Sequence, residues 1–127
     1  NYKNYDMVEL VPVERKISIR EEINIIKKRL VEGTKSIKGK IIKEDSNYIE
    51  ITFGSLLKSR LIGEFWGSKD TLQKKAKIEF KSDSSRTEIN IIVVHTHKYG
   101  VMWGYTETYQ KALEETVEKI ADLIQNL

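Results

Sequence analysis

The end of this sequence carries one continuous apolar seam. Leu113, Val117, Ile120, Ile124 and Leu127 recur at intervals of four, three, four and three residues, the spacing that places them on one stripe of an α-helix. Between them stand Glu114, Glu115, Glu118 and Asp122, which face water. A long helix with a single dry stripe gains most of its stability from the surface it covers, so the rest of the chain has to supply that surface. Thr106 is placed to cap the helix, and Tyr109 sits one turn ahead of the seam.

The chain just upstream offers the surface. Thr87 to Tyr105 reads TEINIIVVHTHKYGVMWGY. At period two, Ile89, Ile91, Val93 and His95 share one side, while Ile92 and Val94 make the other side apolar too. The pattern predicts a central strand covered on both faces for part of its length. Beyond His97 the alternation ends. Gly100 and Gly104 bracket Val101, Met102 and Trp103, with Tyr99 and Tyr105 just outside, so an aromatic loop precedes the last helix.

Earlier segments read mostly as strands. Met7 to Val13 is a first strand that Pro12 confines to an edge or breaks, because proline cannot donate to a ladder. Ser18 and Glu21 have capping-box spacing, and Ile19, Ile23, Ile26 and Leu30 form a helical stripe that Gly33 ends. After a linker from Thr34 to Ser36, Ile37 and Ile41 mark one half-buried strand. Turn residues Glu44 to Asn47 join it to Tyr48 to Phe53, a strand with Ile49, Ile51 and Phe53 inward. Gly54 to Ser59 is a connection, Arg60 to Trp66 a further strand and Gly67 to Asp70 a turn. Ala76, Ile78 and Phe80 then alternate with Lys75, Lys77, Glu79 and Lys81, a strand with one wet face. Lys81 to Arg86 turns the chain into the long strand. The order β-α-β-β-β-β-β-α, with short links between strands, predicts an α+β domain: an antiparallel β-sheet covered on one face by two helices, the long C-terminal one lying across it.

Size and composition narrow the classes. A chain of 127 residues fits one domain, residues 1–127, with a polar tail over 1–6. Hydrophobic residues at 39%, charged residues at 32% and a single proline belong to a folded domain rather than a disordered one. With no cysteine, disulfides, thiolate zinc sites and cysteine nucleophiles are excluded. No apolar run is long enough to cross a bilayer, and the start NYKNYD has no signal-peptide core. The first residue is Asn1 rather than methionine, so a processed or shortened chain is expected: soluble as given, and either cytoplasmic or extracytoplasmic after loss of an upstream signal or anchor.

The net charge of +3 is unevenly placed. Lysines and arginines dominate from Arg15 to Lys43, whereas the last helix is acidic. Such asymmetry lets two helices, or two copies of the chain, attract one another. It falls short of the basic excess of a nucleic-acid surface, so nucleic acid is not the expected partner.

Few residues point to chemistry. His95 and His97 are the only histidines and sit at strand spacing, so they are weak metal candidates that lack a third ligand; the expectation is no metal and no cofactor. The serines of the turns lie in no nucleophile elbow, the paired carboxylates Glu114 and Glu115 fall on a wet helix side, and Gly54, Gly63 and Gly67 form no phosphate loop. No catalytic residue is identified, and the chain is read as not an enzyme. The sharper candidates are aromatic or apolar: Phe65, Trp66, Tyr99, Val101, Met102, Trp103 and Tyr105, gathered at one end of the sheet as a partner surface or a cleft beneath the last helix. The bland alternative is that they close the core.

The element order and long final helix resemble the helix-grip fold of START-like lipid and hydrophobic-ligand proteins, and small bacterial helix-grip domains still more closely, some of them carried on lipoproteins such as the outer-membrane assembly lipoprotein. One group of these has a Gly-Glu in a middle strand and a Trp-Gly before the last helix, matched here by Gly63-Glu64 and Trp103-Gly104. Where that group continues with a basic residue and asparagine, this chain has Tyr105-Thr106. The resemblance implies binding rather than catalysis. Three classes follow: association with a protein partner or a second copy through the aromatic loop, carriage of a small apolar ligand between sheet and C-terminal helix, and single-stranded nucleic-acid binding.

Overall fold

A computed structural model of the protein describes residues 7–8, 11–54, 73–96, 101–102 and 106–126. Its described elements are β1 (Met7–Val8), β2 (Val13–Ile19), α1 (Ile23–Gly33), a 3-10 turn (Thr34–Ile37), β3 (Gly39–Asp45), β4 (Tyr48–Phe53), β5 (Lys74–Asp83), β6 (Arg86–His95), β7 (Val101–Met102) and α2 (Thr106–Gln125). Five strands form an antiparallel sheet in the order β2-β6-β5-β4-β3, and β1 pairs with β7 in a separate two-stranded ladder. This is the α+β class expected from the sequence, with both helices contributing to one core over one face of the sheet.

Strict alternation builds that face. Ile49 stands opposite Ile78, and Ile78 opposite Ile91, so three fully buried isoleucines run in one row across β4, β5 and β6. Ile51, Ala76 and Val93 make the next row. Above them α1 buries Ile26 and Leu30, and the α2 seam buries Leu113, Val117, Ile120 and Ile124. Burying side chains of this size stabilises by about 1.5–3 kcal/mol each relative to exposure, which is what holds a 20-residue helix against the sheet. On the other face Ile92 and Val94 are half-exposed, so β6 is sealed on its inner side and only partly covered on its outer one.

Arg29 joins the two helices. Its guanidinium donates two bonds to the Glu21 carboxylate and one to the Ile124 carbonyl in the last turns of α2, where the helix dipole favours a cation. The bond from Arg29 holds the Glu21 carboxyl below its ordinary range. The charge asymmetry between the helices therefore meets through a backbone carbonyl, while the acidic side chain Glu118 pairs with Arg15 of β2.

The N-terminal region corrects the sequence reading. Met7 to Val13 is not one strand: β1 ends at Val8, and β2 begins at Val13, after Pro12. Ser18 and Ile19 belong to β2 and not to a helix start, and α1 begins only at Ile23, with Glu22 at its N-cap and no side-chain cap. Pairing seven residues with β6 outweighs a capping motif. The Ser18 hydroxyl accepts a bond from Arg86 instead. The stretch read as an aromatic loop contains β7, whose Val101 and Met102 pair with Val8 and Met7. Thr106 is the first residue of α2. The strand expected over residues 60–66 lies outside the described residues.

Candidate functional site

At one end of the sheet the inner face changes character. Phe53, Lys74 and His95 are register partners across β4, β5 and β6, and each has the inward parity of its strand. The apolar rows beside them thus end on an ammonium and an imidazole. Lys74 is only 7% exposed and is the one charged side chain buried in the described core. His95 is half-buried, and its Nδ1 atom is shielded from solvent. Just beyond, the Thr96 amide donates to the Gln73 carbonyl at 2.9 Å, which holds the β5 and β6 ends together.

Helix α2 is tied to β2 at two places. Arg15, the register partner of Ile91, bonds to Glu118, and the Gln110 side-chain amide accepts from the Val11 N–H at 3.0 Å and donates to the Val11 carbonyl at 2.8 Å. Val11 lies two residues before the Val13–Val93 pair, so the start of α2 stands at the His95 end of the sheet. Tyr109, beside Gln110, is 2% exposed.

Chemically the row offers a cation and an imidazole beside a wall of apolar carbon. Removing an ammonium from water is expensive, so its place in the fold is held by polar or anionic neighbours. From Thr87 to Val93 the inward side chains of β6 are all buried.

The larger grooves lie elsewhere. One of about 780 Å³ runs over the outer face and is lined by Lys16, Ser18, Tyr48, Glu79, Lys81 and Asn90. Within that face the Tyr48 hydroxyl donates to Glu50 at 2.6 Å, and Lys75 pairs with Glu50 at 3.0 Å. Burial and then the bond to Glu50 push Tyr48 up to about 12, while the bonds from Tyr48 and Lys75 hold the Glu50 carboxyl below its usual range. A second groove, of about 760 Å³, runs between β2 and α2 and carries five acidic and three basic side chains. Alternating charges of this kind describe a solvated sheet face.

Of the residues singled out from sequence, Phe65, Trp66, Tyr99, Trp103 and Tyr105 lie outside the described residues, as do His97, Gly63-Glu64 and Gly104. Val101 and Met102 are placed by backbone pairing in β7. His95 is found on the inner face, beside Lys74 rather than in a metal cluster; among the described residues no three metal-ligating side chains come together. Lys74 escaped notice because it adjoins Lys75 and resembles a wet turn. Its signal was parity: counting back from Ile78 and Ala76 by two lands on Lys74.

No family model matches the chain, and no curated protein matches it in sequence. Solved structures do match in fold. The chain is similar to protein MLL2253 from Mesorhizobium loti at a TM-score of 0.59 and 8% identity, covering 91% of this chain and 95% of that one. It is similar to Ara h 8.0201 at 0.53 and 8% identity, covering 91% and 96%, and to TTHA0849 from Thermus thermophilus at 0.51 and 10% identity, covering 91% and 95%. The class these likenesses and the topology define is the helix-grip fold: an antiparallel sheet with a long C-terminal helix across its inner face. Among the described residues, no helix is long and apolar enough to cross a membrane.

Proposed function

We propose that this chain is a non-enzymatic binding domain that holds a small, largely apolar ligand at the Lys74–His95 end of the inner face, beneath the first turns of α2. One observation carries the reading. The inner face is sealed and aliphatic along most of β6, and at His95 it becomes polar and half-exposed, as a binding site with a few placed polar groups does. The helix-grip architecture supports it, because the long helix lies over the inner face on which Lys74 and His95 stand. Ligand size follows from the packing: with the space from Thr87 to Val93 occupied, the site takes a molecule of modest length.

Native mass spectrometry of freshly purified protein tests the reading. A small-molecule adduct that disappears on denaturation supports it, as does a 1:1 complex formed on adding octanoic acid or octan-1-ol. A clean mass of the free chain under both conditions contradicts it.

A further inference from the structure

We infer that the free edge of β2 docks an extended basic peptide from a partner protein, which joins the sheet as a further strand beside the acidic flank of α2. The surface is separate from the Lys74–His95 end and stands whether or not a ligand binds there. Strand β2 is the terminal strand of the order β2-β6-β5-β4-β3 and pairs only with β6. Its seven residues, Val13–Ile19, keep one unbroken register with β6, so the backbone groups of alternate residues point away from the ladder along a regular edge. No other described main-chain group bonds to them. The opposite edge is built differently. Strand β3 has a register shift between Ile41 and Lys43, and Lys40 and Lys43 are exposed on it; a bulge and edge lysines are devices that keep a strand from pairing further. The β2 edge has no bulge, and its one inward-facing charge, Arg15, is neutralised by Glu118.

Helix α2 supplies the selectivity. The strand from Val11 to Arg15 spans about 13.6 Å at about 3.4 Å per residue, and the helix between their partners Gln110 and Glu118 spans about 12 Å at about 1.5 Å per residue. The helix therefore runs beside β2 in the same direction. The groove between them is net acidic in a chain whose net charge is +3. Along its helical wall stand Glu114, Glu118 and Asp122, like charges at the i, i+4 spacing that repels. Arg15 takes Glu118. Glu114 and Asp122 are exposed, and among the described residues neither has an ion-pair partner. These two carboxylates are about 12 Å apart along the helix. In an extended strand, residues i and i+4 share a face and lie about 13.6 Å apart. A peptide with lysine or arginine at i and i+4 thus sets one cation against each carboxylate while its backbone pairs with β2. Main-chain bonds then give affinity, and alternate side chains give specificity.

Fluorescence anisotropy with labelled, end-blocked peptides tests the inference: TVKTTVKT, its acidic analogue TVETTVET, and TVKTTVKT N-methylated at alternate peptide bonds in each of the two phases. The wild-type chain is expected to bind the lysine peptide, and to bind the glutamate peptide about tenfold more weakly or not at all. At least one N-methylated phase should lose binding, because it blocks the donors that face β2. A chain carrying both Glu114→Gln and Asp122→Asn, checked for folding by circular dichroism, should bind the lysine peptide about two- to tenfold more weakly, as expected for two exposed ion pairs. Hydrogen exchange should slow at the amides of Val13–Ile19 in the complex. No binding of the lysine peptide, equal binding of the glutamate peptide, or full binding of both N-methylated phases overturns the inference. So does protection confined to β3, or a wild-type dimer that the double substitution dissociates, which would make a second copy the occupant. Should the doubly substituted chain fail to fold, the lysine and glutamate peptides on the wild type decide alone.

Discussion

Lys74 and His95 face each other across the β5–β6 ladder, on the side of the sheet that Ala76 and Val93 keep dry. Directly opposed residues on an antiparallel pair have Cβ atoms about 4.5–5.5 Å apart, so the two polar side chains share one small volume. The next inward residues on the two strands, Ala76 and Val93, are hydrocarbon. The pair thus puts polar groups on the inner face at the end from which the chain passes, through residues 97–105, into α2.

The Gln110–Val11 bonds fix the height of α2 over that end. Replacing Gln110 with alanine removes both and is expected to cost about 1 kcal/mol, since the site is exposed. Thermal unfolding should fall by roughly 3–5 °C. An unchanged midpoint would show that the amide does not hold the crossover in place.

Gly39 is crowded by three packed side chains, Gly33 by the tip of one. A Cβ there would meet Ile51 Cγ2 at 2.7 Å and Phe53 Cε1 at 2.8 Å, both in the packed face beside Lys74. Gly39→Ala is expected to destabilise by about 1–3 kcal/mol through overpacking. Gly33→Ala meets only the far end of Leu123 and gains helix propensity of up to about 1 kcal/mol, so its denaturation midpoint should stay nearer the wild type. The reverse ranking would contradict this packing.

Ile91 and Ile92 are adjacent in β6 and sit on opposite faces. Ile91 is fully buried and Ile92 half-exposed. Chemical denaturation should show Ile91→Ala losing about 2–5 kcal/mol, and Ile92→Ala about 1 kcal/mol or less. Equal losses would mean that the outer face is covered as fully as the inner one.

Tyr48 supplies a pH dependence. Its folded pKa stands above the free value of 10.0, at about 12, with burial first and the bond to Glu50 second. A raised folded pKa means that the contribution is complete below pH 10 and is lost as pH climbs from 10 towards 12. The wild-type minus Tyr48→Phe difference in phenolate absorbance should therefore titrate late, near 12, and the variant should lose less stability over that interval. A difference curve centred at 10 would dissolve the Tyr48–Glu50 pair.

Period and parity made most of this architecture readable. The α2 seam, the inward set of β4 and the alternation of β5 each follow from one-residue-in-two or one-in-three-to-four spacing. The reading failed at Ser18 and Ile19, where a local capping pattern competed with a seven-residue ladder to β6 whose partner lies some seventy residues away. No local window contains that information. The same reason hid β7, a pair of residues that become a strand only because Met7 and Val8 reach them. The site was legible only in part: His95 stood out as a rare residue, whereas Lys74 was one lysine among many until the register set it inside.

Amide chemical-shift mapping of the 15N-labelled chain during titration with octanoate addresses the central claim most directly. Saturable shifts centred on residues 74–76, 93–96 and 108–113, with the outer-face positions Lys16, Glu79 and Asn90 unmoved, are the predicted result. Shifts confined to those outer positions, or no saturable shifts at all, would contradict a ligand seated beneath the start of α2.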